Sequence, residues 1–235
     1  MVKLSASILA CDFAYLGESV KCAEKAGAHY IHIDIMDGRY VDNISFGPQT
    51  VTDLKKVTQL PIEAHLEMYE PERFIDMFAK AGTDRLVVQR EICANPIRVL
   101  NRIRELGMKA GMAINPGDDV KLLKYLLNNL DFIVIMSVEP GFGGQNFERS
   151  SFEKIKQLKK MMKEQDIEVP IAVDGGIDTA IGNELKAAGV DILVVGSGLF
   201  QTDDIFSAAM SFLNGNEVKE IGIFNNRESE SVEGA

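Results

Sequence analysis

Two histidines and several carboxylates lie where strands would bring them to one face. In Ile31-His32-Ile33-Asp34-Ile35-Met36-Asp37-Gly38, the period of two of an extended strand sends His32, Asp34 and Met36 to one side and the three isoleucines to the other. Glu63 and His65 repeat that spacing, and Asp174 ends the run Ile171-Ala-Val-Asp174. Neutral imidazole together with carboxylate is a ligand set suited to Zn, Mn or Fe. A single strand histidine is most simply a hydrogen-bonded core residue. Here, however, two of the 3 histidines fall near strand ends beside acids. Carboxylates are seldom buried in a barrel unless paired or metal-bound, so His32, Asp34, His65 and Asp174 are expected to converge. Asp37 reads differently, because Asp-Gly after a strand is a turn signal.

Glycine-rich segments follow the later strands: Pro140-Gly141-Phe142-Gly143-Gly144-Gln145, Asp174-Gly175-Gly176-Ile177 and Gly196-Ser197-Gly198. Glycine lets backbone N–H groups approach an anion closely, and helix N-termini add partial positive charge. Any one of these segments is equally well a simple turn. A phosphate site after the last two strands is nonetheless a recurrent barrel feature. Ser7, at the end of the first strand, is placed to donate to a substrate or to satisfy local backbone.

These groups require a scaffold that gathers strand ends. Short β-branched runs recur at Leu4 to Ile8, Tyr30 to Met36, Ile62 to Leu66, Arg85 to Gln89, Lys109 to Asn115, Phe132 to Val138, Ile171 to Asp174 and Ile192 to Gly196. Helical patterns lie between them, among them Leu16 to Ala26, Glu72 to Ala81, Ile97 to Leu106, Val120 to Leu127, Phe152 to Gln165 and Thr179 to Ala188. Several end in glycine, at Gly27, Gly82, Gly107 and Gly189. Eight such units predict an α/β fold, a single (β/α)8 TIM barrel, whose strands are buried on both faces. The barrel is expected over residues 1–213, followed by a polar acidic extension, 214–235, that is partly disordered.

Composition narrows the function classes. The 235 residues, 46% hydrophobic and 26% charged, match a globular chain with a packed core. A net charge of -10 argues against nucleic acid, whose phosphates must be neutralised by clustered Lys and Arg. Three cysteines, Cys11, Cys22 and Cys93, show no zinc-site spacing and fit a reducing cytoplasm. The first apolar stretch breaks at Cys11 and Asp12, and no run of 18 apolar residues follows, so a cytoplasmic protein without membrane segments is expected.

From about Leu4 to Phe200 the chain resembles the ribulose-phosphate 3-epimerase family. The resemblance rests on Ser7-Ile-Leu, His32-Ile-Asp-Ile-Met-Asp-Gly38, Asn43-Ile-Ser-Phe-Gly-Pro48, His65-Leu66, Pro140-Gly-Phe-Gly-Gly-Gln145 and Val173-Asp-Gly-Gly176. It implies one divalent metal held by His32, Asp34, His65 and Asp174, with Asp34 and Asp174 also serving as the two acid/base groups. It further implies substrate contacts at Ser7 and His65, and phosphate contacts at Gly141, Phe142, Gly143, Gly144, Gly175, Gly176, Gly196 and Ser197. The expected activity is 3-epimerisation of a phosphorylated ketose, by default D-ribulose 5-phosphate and D-xylulose 5-phosphate, in a homo-oligomer. Such chemistry needs a carboxylate on each side of the carbon and a metal to stabilise the cis-enediolate.

Departures from the family pattern concern the surroundings. Ala6 stands where proline is usual, Arg39-Tyr-Val-Asp42 where His-Phe-Val-Pro is usual, and Ala172 where glutamate precedes Val-Asp. Glu63 and Glu67 replace aspartate and methionine, and Gln89 replaces a common histidine. Arg39, Glu67 and Gln89 are therefore the candidates for substrate choice, with D-allulose 6-phosphate or a tetrulose phosphate as alternatives. Glu67 either adds charge beside the reacting atoms or turns outward; Arg39 pairs with it, binds a substrate hydroxyl or faces solvent. A decarboxylase or aldol-type lyase would want a lysine at the end of the second strand, and Asp34-Ile-Met-Asp-Gly-Arg39 has none. A non-catalytic sugar-phosphate binder remains open on fold grounds alone.

Overall fold

The computed structural model describes residues 1–214. Its strands are β1 (Lys3–Ser7), β2 (Tyr30–Met36), β3 (Ile62–Glu67), β4 (Arg85–Gln89), β5 (Lys109–Ile114), β6 (Phe132–Met136), β7 (Ile171–Asp174) and β8 (Ile192–Val195). All pair in parallel with their sequence neighbours, and β1 pairs with β8 to close the barrel. The helices are α1 (Leu16–Lys25), α2 (Pro48–Leu54), α3 (Ile75–Ala81), α4 (Pro96–Glu105), α5 (Ser151–Glu164), α6 (Thr179–Ala187), α7 (Ser197–Phe200) and α8 (Ile205–Asn214). Gly27, Gly82, Gly107 and Gly189 all take positive φ after helices, as helix-ending glycines do. Among the described residues no helix is long and apolar enough to cross a membrane. The helix α8 reaches Asn214, and the expected disordered extension otherwise lies outside the described residues.

Alternation along the strands produces two apolar regions. Outward residues such as Ile31, Ile33 and Ile35 pack with the helices, forming the larger core together with Leu66, Leu100, Leu158 and Phe212. Inward residues Val87, Ala113, Phe132, Val134, Met136, Ala172, Ile192 and Val194 fill the barrel itself. Most of that apolar filling comes from β5 to β8. On β1 to β4 the buried inward positions are instead mostly polar: Ser5, Ser7, His32, Asp34, Glu63, His65, Glu67, Arg85 and Gln89, with Val87 and Met36 the apolar exceptions.

The expected helix at Val120 to Leu127 is instead two 3-10 turns, Val120–Leu123 and Leu127–Asn129. The buried residues Val120, Leu123 and Leu126 recur every third position, the period of a 3-10 helix rather than an α-helix. Similarly, Pro71–Arg73 forms a 3-10 turn ahead of α3, in place of one helix from Glu72. Several strands stop one or two residues early, so Ile8, Asn115, Val138 and Gly196 lie in the loops that shape the barrel mouth.

Candidate active site

Register brings the predicted cluster together. On neighbouring strands Asp34 lies opposite His65, and Ser7 opposite His32. Asp174, the last residue of β7, reaches across from the far side of the mouth. His32 Nε2 lies 2.9 Å from Asp34 Oδ1 and 3.3 Å from Asp174 Oδ2. His65 Nδ1 lies 3.4 Å from Asp34 Oδ1 and 3.9 Å from Asp174 Oδ2. One ligand atom from each of the four residues falls within 4.8 Å of the others. Both imidazoles are fully buried, whereas Asp34 and Asp174 line the cleft.

The donors fit a divalent cation on an observation independent of their type. Both ring nitrogens of His65 are buried without a hydrogen-bond partner, an expensive arrangement unless an electron-pair acceptor lies between it and the carboxylates. Electrostatics point the same way. Burial opposes a charge on His32, but Asp34 and Asp174 outweigh it and raise its pKa well above the usual imidazole range. Burial likewise disfavours the Asp34 carboxylate, yet His32 and then His65 hold its pKa below the usual range. The site favours positive charge between two carboxylates.

Loops close round this cluster. Of the predicted substrate contacts, Ser7, Gly141, Phe142, Gly143, Gly144, Gly175, Gly176, Gly196 and Ser197 all line one cleft with Asp34 and Asp174. His65 is the exception, lying beneath the lining at zero exposure. Ser7 Oγ donates to Asp34 Oδ2 at 3.0 Å, orienting that carboxylate rather than serving backbone. Gly176 has φ +63, and a Cβ there would meet Phe147 N at 2.7 Å and Gln145 O at 2.8 Å. The loops after β6 and β7 therefore touch only because this residue lacks a side chain.

Sequence reasoning gave no role to several groups that hold the cleft. Asn43 Nδ2 donates to Gly141 O at 2.8 Å, tying the loop after β2 to the loop after β6. Ser45 Oγ accepts from Met36 N and donates to the Asp34 carbonyl. Ser137 Oγ donates to the carbonyls of Asp174 and Gly175, at 2.8 and 2.6 Å. Met36 and Met136 supply apolar cleft wall. The Asn43-Ile-Ser-Phe-Gly-Pro48 motif marked the first two and strand alternation marked Met36; Ser137 depends on loop geometry without a sequence period. Asp37 keeps its turn role, accepting from the N–H groups of Arg39, Tyr40 and Tyr69.

The three specificity candidates separate. Glu67 turns inward, is 2% exposed and lines the cleft. Burial, then the charges of Asp34 and Asp174, raise its pKa well above the usual carboxylate range. Arg39 lies exposed in the turn, with its guanidinium 5.5 Å from the centre of the Tyr69 ring, and forms no ion pair with Glu67. Strand alternation points Glu67 into the barrel, whereas Arg39 follows the strand end and points away. Gln89 is fully buried, outside the cleft lining, with both amide atoms unpartnered.

The fold and the clustered mouth define a (β/α)8-barrel enzyme. A variant tryptophan synthase α-subunit from Pyrococcus furiosus shares the architecture at TM-score 0.70 and 15% identity, over 90% of this chain and 97% of that one. The chain belongs to the ribulose-phosphate 3-epimerase family, whose profile matches residues 3–200. A ribulose-phosphate 3-epimerase of Bacillus subtilis is 43% identical over 205 residues, covering 87% of this chain and 94% of that protein. A chloroplastic ribulose-5-phosphate 3-epimerase of Arabidopsis thaliana is 44% identical over 207 residues, 87% of this chain and 74% of that protein. The chain is thus an isomerase of the racemase and epimerase type that acts on carbohydrates.

Proposed function

We propose that this enzyme is a metal-dependent 3-epimerase that interconverts D-ribulose 5-phosphate and D-xylulose 5-phosphate. The observation that carries the reading is the approach of Asp34 and Asp174 from β2 and β7, beside two buried histidines, at the floor of a glycine-walled cleft. Inversion at C3 requires one carboxylate to take the C3 proton while the C–H electron pair moves toward the C2 carbonyl, giving a cis-enediolate. The other carboxyl then returns a proton to the opposite face. Asp34, held by Ser7, and Asp174, at the strand end, are the two groups.

His32, Asp34, His65 and Asp174 would hold the cation, and their mixed nitrogen and oxygen donors suit Zn, Mn or Fe. When bound, a divalent cation supplies charge stabilisation for the oxygens that become negative as the proton leaves. The protein's own part is to fix the carbon between the carboxylates. For this the reading places the sugar phosphate against Gly175, Gly176, Gly196 and Ser197 and the loop from Gly141 to Gly144. Met36 and Met136 exclude water beside the reacting carbon.

Glu67 favours a second reading, the same reaction on another ketose phosphate such as D-allulose 6-phosphate or a tetrulose phosphate. It is the one departure among the three candidates that reaches the cleft. The test is prolonged chelation, metal analysis, and assay of a ketose phosphate panel before and after divalent metal is restored. Full activity in metal-free protein would refute the metal requirement. Higher kcat/KM on a hexulose or tetrulose phosphate would replace the first substrate pair with the second.

A further inference from the structure

Directly beneath the cluster, three strands place charged or imidazole side chains side by side. His32, Glu63 and Arg85 share one level of the barrel, with His32 opposite Glu63 and Glu63 opposite Arg85. His32 Nδ1 lies 2.8 Å from Glu63 Oε1, and Arg85 Nε donates to Glu63 Oε2 at 2.6 Å. The three are 0%, 1% and 9% exposed. The Arg85 guanidinium lies 3.8 Å from the Phe132 ring centre and 4.4 Å from that of Tyr30. Phe132 owes its place to Gly111, where a Cβ would stand 2.3 Å from the ring.

Barrel interiors are usually filled at this depth by branched aliphatic side chains, as β6 and β8 do here with Val134, Ile192 and Val194. A buried ion pair is a poor substitute for such filling, because loss of hydration offsets most of the attraction between the charges. Stability alone therefore gives little reason for Glu63 and Arg85. Their geometry supplies another. An imidazole that ligates through one nitrogen must carry its proton on the other. Glu63, as a carboxylate, can only accept, so it holds a His32 proton on Nδ1 and leaves Nε2, which faces Asp34 and Asp174, as the nitrogen for a cation. Arg85 occupies the second oxygen and keeps Glu63 an acceptor. His65 has no such support, since its Nε2 is unpartnered.

We propose that Glu63 and Arg85 are positioning residues that fix the tautomer and ring orientation of His32 for metal binding. The proposal rests on the reading of His32 as a ligand. Glu63→Gln tests it sharply. With Arg85 in place, the Gln carbonyl would pair with the guanidinium, and its NH2 would face His32 Nδ1, driving the imidazole proton to Nε2. The readout is the Kd for Zn(II) and Co(II), by competition with a chelator, in the full chain. A loss of about 10- to 100-fold is expected, the usual effect of removing such a partner.

A double replacement, Glu63→Leu with Arg85→Met, separates positioning from packing. It should restore the melting temperature of the metal-free chain to that of wild type or above, because apolar side chains replace a buried pair. Its metal Kd should stay weakened by at least tenfold. Glu63→Asp, which keeps the charge, must bind metal more tightly than Glu63→Gln. A double variant with wild-type metal affinity, or the reverse order of the Asp and Gln variants, overturns the proposal. If wild type itself takes up no metal, the ligand reading falls first and the proposal with it.

Discussion

Replacing Gly176 with alanine probes the phosphate cradle through one methyl group. A residue with a side chain costs about 1 to 2 kcal/mol in left-handed backbone, and Gly176 has φ +63. The new Cβ would also meet Phe147 N, Gln145 O and Phe147 Cα at 2.7, 2.8 and 2.9 Å. All three atoms are backbone, so no side chain can swing aside, and the loop after β6 must move by roughly half an ångström or more to reach ordinary contact. That loop carries Gly141 to Gly144. If these glycines hold the phosphate, KM for ribulose 5-phosphate should rise about tenfold or more, since each lost 1.4 kcal/mol of binding is a factor of ten. The melting temperature should fall by about 2 to 8 °C from the backbone strain alone. Gly107→Ala supplies the control, because Gly107 has φ +85 with nothing within 4 Å of a Cβ. It should lower the melting temperature similarly and leave KM unchanged. Steady-state assays of both variants decide the matter. A Gly176→Ala enzyme with wild-type KM and reduced stability would refute the cradle.

Three further substitutions address the chemistry and the substrate. Asp34→Asn and Asp174→Asn should each reduce epimerisation at least a hundredfold, with metal content measured in parallel; a variant that keeps both its metal and near-normal turnover removes that residue from the mechanism. In heavy water the product should carry solvent deuterium at C3, and quantitative retention of the substrate hydrogen would argue against two bases. Glu67→Met should shift the ratio of kcat/KM between ketose phosphates by roughly 1 to 3 kcal/mol if Glu67 bonds a substrate hydroxyl, whereas unchanged ratios place substrate choice elsewhere.

Alternation made His32, Asp34 and His65 legible in the sequence, because a period of two assigns faces without knowledge of neighbours. Asp174 was legible as a strand end followed by glycines. Depth and partnership were not. Gln89 occupies a strand end as Asp174 does, yet it is buried outside the cleft; Arg90 and Glu91 follow it where glycines follow Asp174, and that difference does not by itself give its depth. Glu63 was visible on the face of His65, but its bond to His32 depends on register between strands 31 residues apart in sequence. The Val120 to Leu127 segment shows the opposite case: its three-residue apolar spacing is present in the sequence, but over so short a stretch it also fits the pattern of an ordinary helix. Helix α7 has one turn, Ser197–Phe200, too short for any period to register.

The plug formed by the Arg85 guanidinium against the Tyr30 and Phe132 rings has a consequence for traffic. It fills the barrel below His32 and Glu63, so the cluster communicates with solvent through the cleft above, which Asp34, Asp174 and Ser7 line. With a cation held by His32, Asp34, His65 and Asp174 as proposed, sugar phosphate and metal would share a single doorway. Whatever sat in the cleft would stand between the ion and bulk water, making substrate a cork as well as a reactant. Such an enzyme would shed its metal fastest when idle and guard it best when saturated.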